Sequence, residues 1–336
     1  MRDFEYVRPP DRASAVALAT NRDVKLLGGG TNLIDLMKIG VETPVTVVDT
    51  TRLGLDAIEP GVDGGLRIGA SVRNTDLATD RLVRERYPVL SAALLSGASG
   101  QLRNMATVGG NLLQRTRCSY FQDVTKACNK RKPGSGCPAR TGANRELAIL
   151  GGSEHCIATH PSDMAVALRA LDASVVIEAV DGARAIPLAD LYRLPGDRPD
   201  IETNLPYGAL IVAVDVPAPL DGVRSSYVKV RDRASFGFAL ASVAAVLRVV
   251  DGHVADVRLA LGGVAPIPWR AQIAEARLVG APAEPDRFRA AIDAELAGAQ
   301  PRPENAFKVT LVRRIVVRVL TDLTDLAGRA RVGDAS

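Results

Sequence analysis

The chain has 336 residues, 47% hydrophobic and 24% charged, with a formal net charge of +4. That composition excludes a disordered chain and is enough for two or three domains with real cores, and with only 4% aromatic residues those cores fall to Ala, Val, Leu and Ile. No run approaches the roughly 18 apolar residues of a membrane span, and the N-terminus, with Asp3 and no apolar stretch, does not read as a secretory leader.

Taken in order, Arg12 to Thr20 reads as a short amphipathic helix. Val24-Lys25-Leu26-Leu27 is an apolar strand running into Gly28-Gly29-Gly30-Thr31-Asn32 and a periodic helical run, Leu33 to Lys38. Strand, glycine turn and helix together bring backbone N–H groups close to a phosphate. The dinucleotide fingerprint needs a third glycine where Leu33 stands and fails by that one position. The next strand, Val45 to Val48, ends at Asp49, where a nicotinamide-binding fold places its ribose acid, so that alternative stays open. A strand is expected at Leu66 to Ala70, and helical periodicity runs from Thr75 to Ala98. A second glycine turn follows, Thr107-Val108-Gly109-Gly110-Asn111-Leu112. Two such turns suit one extended anionic ligand held from two sides.

Every cysteine comes after the second turn: Cys118, Cys128, Cys137 and Cys156, with nine, eight and eighteen residues between them. From Arg115 to Arg145 there are eight Lys or Arg and one acid, Asp123, so the positive charge of the chain is concentrated around the sulfurs. In a reducing compartment clustered cysteines read as metal ligands before disulfides. The spacings match neither zinc ribbons nor the tight run of bacterial ferredoxins, so zinc and an iron–sulfur cluster both stay open. A zinc-stapled nucleic-acid-binding module is a third reading, with only Tyr120 and Phe121 to stack on bases. His155, beside Cys156, reads as a neighbour of the site or as solvent-facing. His160 precedes a proline and His253 lies beside a turn, so no nucleophile set and no catalytic residue is evident.

Further on, Asp163 reads as the N-cap of a helix from Met164 to Leu171. Val175 to Val180 and Ala185 to Pro187 form a hairpin, Leu194 to Tyr207 a loop and Leu210 to Val216 a strand, and Pro217 to Gly222 marks a domain boundary. Asp251-Gly252 joins two strands, Ala241 to Val250 and His253 to Leu261. Lys308 to Leu320 has the spacing of an amphipathic helix.

The Gly28 to Leu33 turn, Gln101-Leu102-Arg103-Asn104 leading to Thr107 to Leu112, Ser162-Asp163, and Tyr227-Val228-Lys229-Val230-Arg231 together resemble the FAD-binding subunit of xanthine dehydrogenase family molybdenum hydroxylases over nearly the whole chain. The segment from Arg115 to Cys156 is similar to that of the periplasmic aldehyde oxidoreductases, whose FAD subunit carries an extra 4Fe-4S cluster. The resemblance implies an α+β fold: a two-subdomain FAD-binding (PCMH-type) domain over 1–220 (subdomains about 1–55 and 56–220, with an iron–sulfur loop at 115–156), then a C-terminal flavoprotein α+β domain at 221–336. It implies that Leu27, Gly28, Gly29, Gly30, Thr31, Asn32, Leu33, Thr107, Gly109, Gly110 and Asn111 hold the pyrophosphate and ribityl chain of FAD. Asp163 would bind the ribityl region, and Ile211 and Lys229 would lie by the ring, where a lysine cation stabilises the anionic reduced flavin. Cys118, Cys128, Cys137 and Cys156 would ligate the 4Fe-4S cluster. The implied function is an electron-transfer subunit of a heterotrimeric molybdenum-dependent aldehyde oxidoreductase, inactive alone, with a 2Fe-2S subunit, a molybdopterin subunit and an external electron acceptor as partners. The alternative within the family is a xanthine, other N-heterocycle or CoA-thioester hydroxylase. Neither nucleic acid nor a membrane span enters this reading. The complex would be periplasmic if co-exported with a signal-bearing partner, otherwise cytoplasmic.

Overall fold

The computed structural model describes residues 1–333, with side-chain surroundings through residue 325; residues 334–336 of the expected C-terminal domain lie outside the described residues. The chain begins with a three-stranded parallel sheet in which Thr46–Asp49 lies between Glu5–Val7 and Val24–Leu27. Parallel neighbours need crossovers, and helices Arg12–Ala19 and Leu33–Lys38 supply them. Asp11 starts the first helix by accepting a hydrogen bond from the Ser14 N–H at 2.8 Å. The Gly28 turn therefore leaves the sheet at the C-terminal end of its strand.

A five-stranded antiparallel sheet follows, in the order Ile58–Pro60, Leu66–Gly69, Leu210–Val216, Ser174–Ala179, Gly182–Pro187. The continuous helical run expected from Thr75 to Ala98 is instead three helices, Asn74–Thr79, Arg81–Arg86 and Pro88–Ser96. The backbone of Asp80 leaves the helical region, and its side chain caps the second helix at Val83 N, 3.1 Å away. Pro88 opens the third at a position where a missing N–H is harmless. The second glycine turn is likewise a short helix, Val108–Leu112, capped by Thr107.

The third sheet is antiparallel, in the order Trp269–Arg270, His253–Gly262, Ala241–Val250, Arg224–Val230. In the strand Ala241–Val250 the stretch from Val243 to Leu247 is apolar throughout because both of its faces are covered. Ala244 and Val246 join the core shared with helices Pro88–Ser96 and Asp163–Ala170, while Val243, Ala245 and Leu247 join a second core. Helices Gln272–Leu278, Pro285–Leu296 and Phe307–Gly333 close that second core. The first two were absent from the sequence reading, and the third runs well past the expected Leu320. A fully buried Val or Leu contributes roughly 1.5–3 kcal/mol, so a charge introduced on either face of Ala241–Val250 would unseat one core or the other.

The cysteine segment sits between these bodies and has a small core of its own, built from Phe121, Leu147, Ile157 and Ala158 with Leu36 from the first unit. Its C-terminal end is held by the start of the last helix. Asn305 Nδ2 donates to the carbonyls of Asn144 and Leu147, both at 3.2 Å, and Lys308 Nζ donates to those of Leu147 at 3.0 Å and Gly263 at 2.7 Å. Lys308 is fully buried, and that burial lowers its pKa to about 7.

Candidate functional site

A cleft of about 480 Å3 opens between the first unit, the helical layer and strands Leu210–Val216 and Arg224–Val230. This is the size of an ordinary small-molecule site. Every expected flavin residue lines it: Leu27 through Leu33, Thr107, Gly109, Gly110, Asn111, Asp163, Ile211 and Lys229.

The two glycine segments pack directly on each other. A methyl group on Gly29 would overlap the Met105 carbonyl oxygen, and one on Gly28 would come within 2.5 Å of Thr107 Oγ1. Gly30 has φ +76°, a left-handed conformation that side chains resist. The segments differ in what they offer a ligand. In the second, the N–H groups of Val108, Gly109 and Asn111 bond to Val72 O, Ala70 O and Thr107 O at 3.0, 2.8 and 2.8 Å, and Gly110 N bonds to Thr107 Oγ1 at 3.3 Å. In the first, the N–H groups of Gly29, Gly30, Thr31, Asn32 and Leu33 meet no protein acceptor among the described residues. The second segment thus supports, and the first presents donors.

Side chains repeat the pattern. Asn32 Oδ1 accepts from Arg115 N at 2.8 Å, leaving its buried Nδ2 without a partner. Arg103 Nη1 donates to Gly97 O at 2.7 Å while its Nε is buried and unpartnered, as is Nε of Arg117. Buried donors left this way cost about 1–3 kcal/mol each. All three residues line the cleft, and an extended anion fits these donors. Arg103 and Arg117 were not picked out from the sequence as ligand contacts. Their signal there, basic residues on either side of the second glycine segment, does not separate them from surface charge.

Asp163 is not the helix cap. Ser162 takes that role, accepting from Ala165 N at 2.9 Å, and its hydroxyl donates to Asn111 Oδ1 at 2.5 Å. Asp163, freed, accepts from Lys229 Nζ at 2.7 Å and Tyr227 OH at 2.5 Å. Lys229, the cation expected beside a ring, is thus paired with Asp163. It is buried, its charge is met by Asp163, and it also donates to Ser96 O at 3.1 Å, so one of its three protons is left for a ligand. Arg231 Nη1 joins it at Ser96 O, 2.9 Å away. Burial, with Asp163 beside it, raises the Tyr227 phenol well above its ordinary range, so it stays a donor.

Asp49 overturns the nicotinamide alternative. It accepts from Thr51 N at 2.8 Å and Thr51 Oγ1 at 2.6 Å, from Tyr6 OH, and lies 3.5 Å from Arg8. It is not part of the cleft lining. A ribose would find no free carboxylate there.

Cys118, Cys128, Cys137 and Cys156 share the walls of one small cavity with Phe121, Asn129 and Lys130, and His155 stands exposed at its rim. Among the described residues no three His, Cys, Asp or Glu stand close enough to hold a single metal ion. The thiols feel one another. Burial raises Cys118, Cys137 and Cys156, the last to about 11, and neighbouring cysteines add to each rise. Lys130 pulls Cys156 the other way. Asn129 stitches the segment together, accepting from Gly136 N at 2.7 Å and donating to His155 O at 3.0 Å.

Much of the basic charge of this segment is paired within the protein. Arg115 and Lys130 meet Glu202, Arg140 meets Glu154, Arg145 meets Asp232, and Arg131 donates to the carbonyls of Phe121 and Asp123. Burial lowers the His160 pKa to about 4, keeping the ring neutral against Tyr192.

Residues 2–219 match the FAD-binding domain of molybdopterin dehydrogenases, and residues 226–323 the C-terminal domain of the CO dehydrogenase flavoprotein. The chain is 54% identical to the aldehyde oxidoreductase FAD-binding subunit of Escherichia coli, over 96% of this chain and 98% of that one. It is 28% identical to the glyceraldehyde dehydrogenase medium chain of Sulfolobus acidocaldarius, over 95% of this chain and 96% of that one. Among solved structures it resembles a chain of the carbon monoxide dehydrogenase from Hydrogenophaga pseudoflava that lacks the Mo-pyranopterin moiety, with TM-score 0.76 and 26% identity, covering 96% of this chain and 98% of that one.

Proposed function

This chain belongs to the FAD-binding medium subunits of the molybdenum hydroxylases, and from that premise we propose that it is the flavin and iron–sulfur subunit of a heterotrimeric aldehyde oxidoreductase. The observation that carries the flavin half is the cleft in which unpaired amides of Gly29 to Leu33 meet the orphaned donors of Asn32, Arg103 and Arg117. The amides and Asn32 hold the pyrophosphate, and Arg103 and Arg117 neutralise it. Ile211 supplies an apolar wall, and the Asp163–Lys229 pair presents one proton at a fixed point. FAD, when bound, supplies the capacity to take up an electron pair and release it to a second acceptor. Purified chain is expected to release FAD, and not FMN, on denaturation. A nicotinamide dinucleotide in its place would overturn the assignment.

The aldehyde reading rests on the 54% relative. Substrate chemistry then belongs to a molybdopterin subunit and a 2Fe-2S subunit, with this chain passing electrons to an external acceptor. The isolated chain should show no aldehyde oxidation with an artificial dye; turnover would refute the division of labour. We place the assembled complex in the periplasm when a partner carries the export signal, which cell fractionation tests.

Four thiols around one cavity, with no carboxylate in its wall, support a 4Fe-4S cluster. Since burial keeps three of the thiols protonated, loading must release protons and is expected to strengthen as pH rises. Anaerobic protein should contain about four iron and four acid-labile sulfide per chain, whereas zinc without sulfide would make the segment a structural clip. Cys128→Ser is expected to lose the cluster and keep most of its FAD, because both glycine segments lie outside the cysteine segment. If flavin reduction in an assembled variant slows by orders of magnitude, the cluster is a relay and not a structural element.

A further inference from the structure

Between the sulfur cavity and the cleft lies a partly buried set of charges. Lys130 lines the sulfur cavity, and its ammonium, on a side chain 8% exposed, donates to Glu202 Oε1 at 2.9 Å and to the Pro199 carbonyl at 3.0 Å. The other Glu202 oxygen accepts from Arg115 Nε at 2.6 Å, and Arg115 Nη1 reaches Glu42 at 2.6 Å. The Arg115 guanidinium also lies over Phe121, 4.5 Å from the ring centre, and Phe121 is a wall of the sulfur cavity. The flavin turn, through Asn32 Oδ1, the loop carrying Glu202 and the cysteine segment thus meet at Arg115.

Stability alone is a weak reason for such a set. Taking these charges out of water costs as much as their attraction returns, and apolar residues of similar volume hold a fold as well or better. What charge does that apolar residues cannot is act on a nearby electron. A cluster ligated by four thiolates is negative, and its reduction potential follows the charge and hydrogen bonding around it. Inside the protein, where water does not screen, a fixed cation acts strongly.

We propose that Lys130 and Glu202 set the reduction potential of the centre held by the four cysteines, Lys130 raising it and Glu202 limiting the rise. They are positioning residues, acting through the field at the sulfurs. The inference rests on the iron–sulfur reading above. The step it governs is the gain of one electron by the cluster, with no bond made or broken.

The test is a redox titration of the assembled complex, poised with dithionite and mediators and followed by electron paramagnetic resonance. Lys130→Met should move the cluster midpoint to a more negative value. Glu202→Gln, which keeps the carboxylate's shape and leaves both cations uncompensated, should move it to a more positive one. Lys130→Arg should stay near the native value. If Lys130→Met fails to load iron, Lys130→Gln, which retains a donor for the Pro199 carbonyl, takes its place with the same expected sign. A purely structural role predicts loss of iron with no opposed shifts, so full iron and sulfide with shifts of one sign, or none, would overturn the inference and leave the cluster standing. Zinc without labile sulfide in the native complex would overturn the cluster and the inference together.

Discussion

Gly29→Ala is expected to produce a chain that keeps its C-terminal domain and holds less than about a tenth of the native flavin. The added methyl has nowhere to go, because the Met105 carbonyl already occupies its position, and that carbonyl is fixed by the Arg73 guanidinium. The two glycine segments must part to admit it. Overpacking of this kind costs about 1–3 kcal/mol or more, and a loss of 1.4 kcal/mol in binding is already tenfold. The displaced element is the row of free amides itself, so the effect falls on the ligand before the fold. Gly110 is the informative comparison: a methyl there meets only Thr107 Oγ1, at 3.0 Å. Gly110→Ala should bind flavin more weakly yet measurably, whereas Gly110→Val, reaching further into the cleft, should expel it. Flavin-to-protein absorbance ratios and FAD titration of stripped protein measure both. Native flavin content in Gly29→Ala would mean that the packing of the two segments does not shape the site.

The second large effect is on stability and depends on pH. Lys308 donates to two carbonyls and, among the described residues, to no carboxylate, and its pKa lies near 7 against an ordinary 10.5. Well below pH 7 the side chain is an ammonium in folded and unfolded chains alike, and the fold carries the full burial penalty. Between about pH 7 and 10.5 the unfolded chain binds a proton that the folded chain lacks, so stability rises with pH through that window. Over the whole window the gain is on the order of 5 kcal/mol. Lys308→Met removes this slope, leaves the Gly263 carbonyl without its donor and leaves Leu147 O with Asn305 alone. Native protein should therefore exceed the variant in stability at pH 9 by several kcal/mol, with the gap narrowing toward pH 6. Parallel denaturant titrations at both values decide it, and a constant gap would show that Lys308 stays charged in the folded chain.

Several of these features were legible in the sequence because they are local. The strand Val24–Leu27, the glycine turn and the helix Leu33–Lys38 follow from periodicity and glycine placement within fifteen residues. Breaks in the Thr75–Ala98 run were written there too, in Asp80 and Pro88, but apolar spacing overrode them. Pro285 at a helix start was a further local signal, in a helix too polar for periodicity to stand out. What could not be read depends on distant partners. Asp163 looks like a cap until Lys229, 66 residues on, claims its carboxylate and Ser162 takes the cap. Asp49 has the spacing of a ribose ligand, yet Tyr6 and Thr51 saturate it. Whether a glycine turn offers its amides or uses them internally depends on what packs beside it, here Ala70 and Val72.

The clasp of Asn305 and Lys308 on Asn144 and Leu147 also has a consequence in time. On a ribosome adding about 5–20 residues per second, the clasp emerges on the order of 10 to 30 s after the segment it closes. During that interval the carbonyls of Asn144 and Leu147 lack the donors that hold them in the finished chain. A nascent chain stalled before Asn305 should be cut within the cysteine segment by protease and should accept iron and sulfide faster than the finished chain. Delivery of any centre held by the four cysteines would then precede the docking of helix Phe307–Gly333.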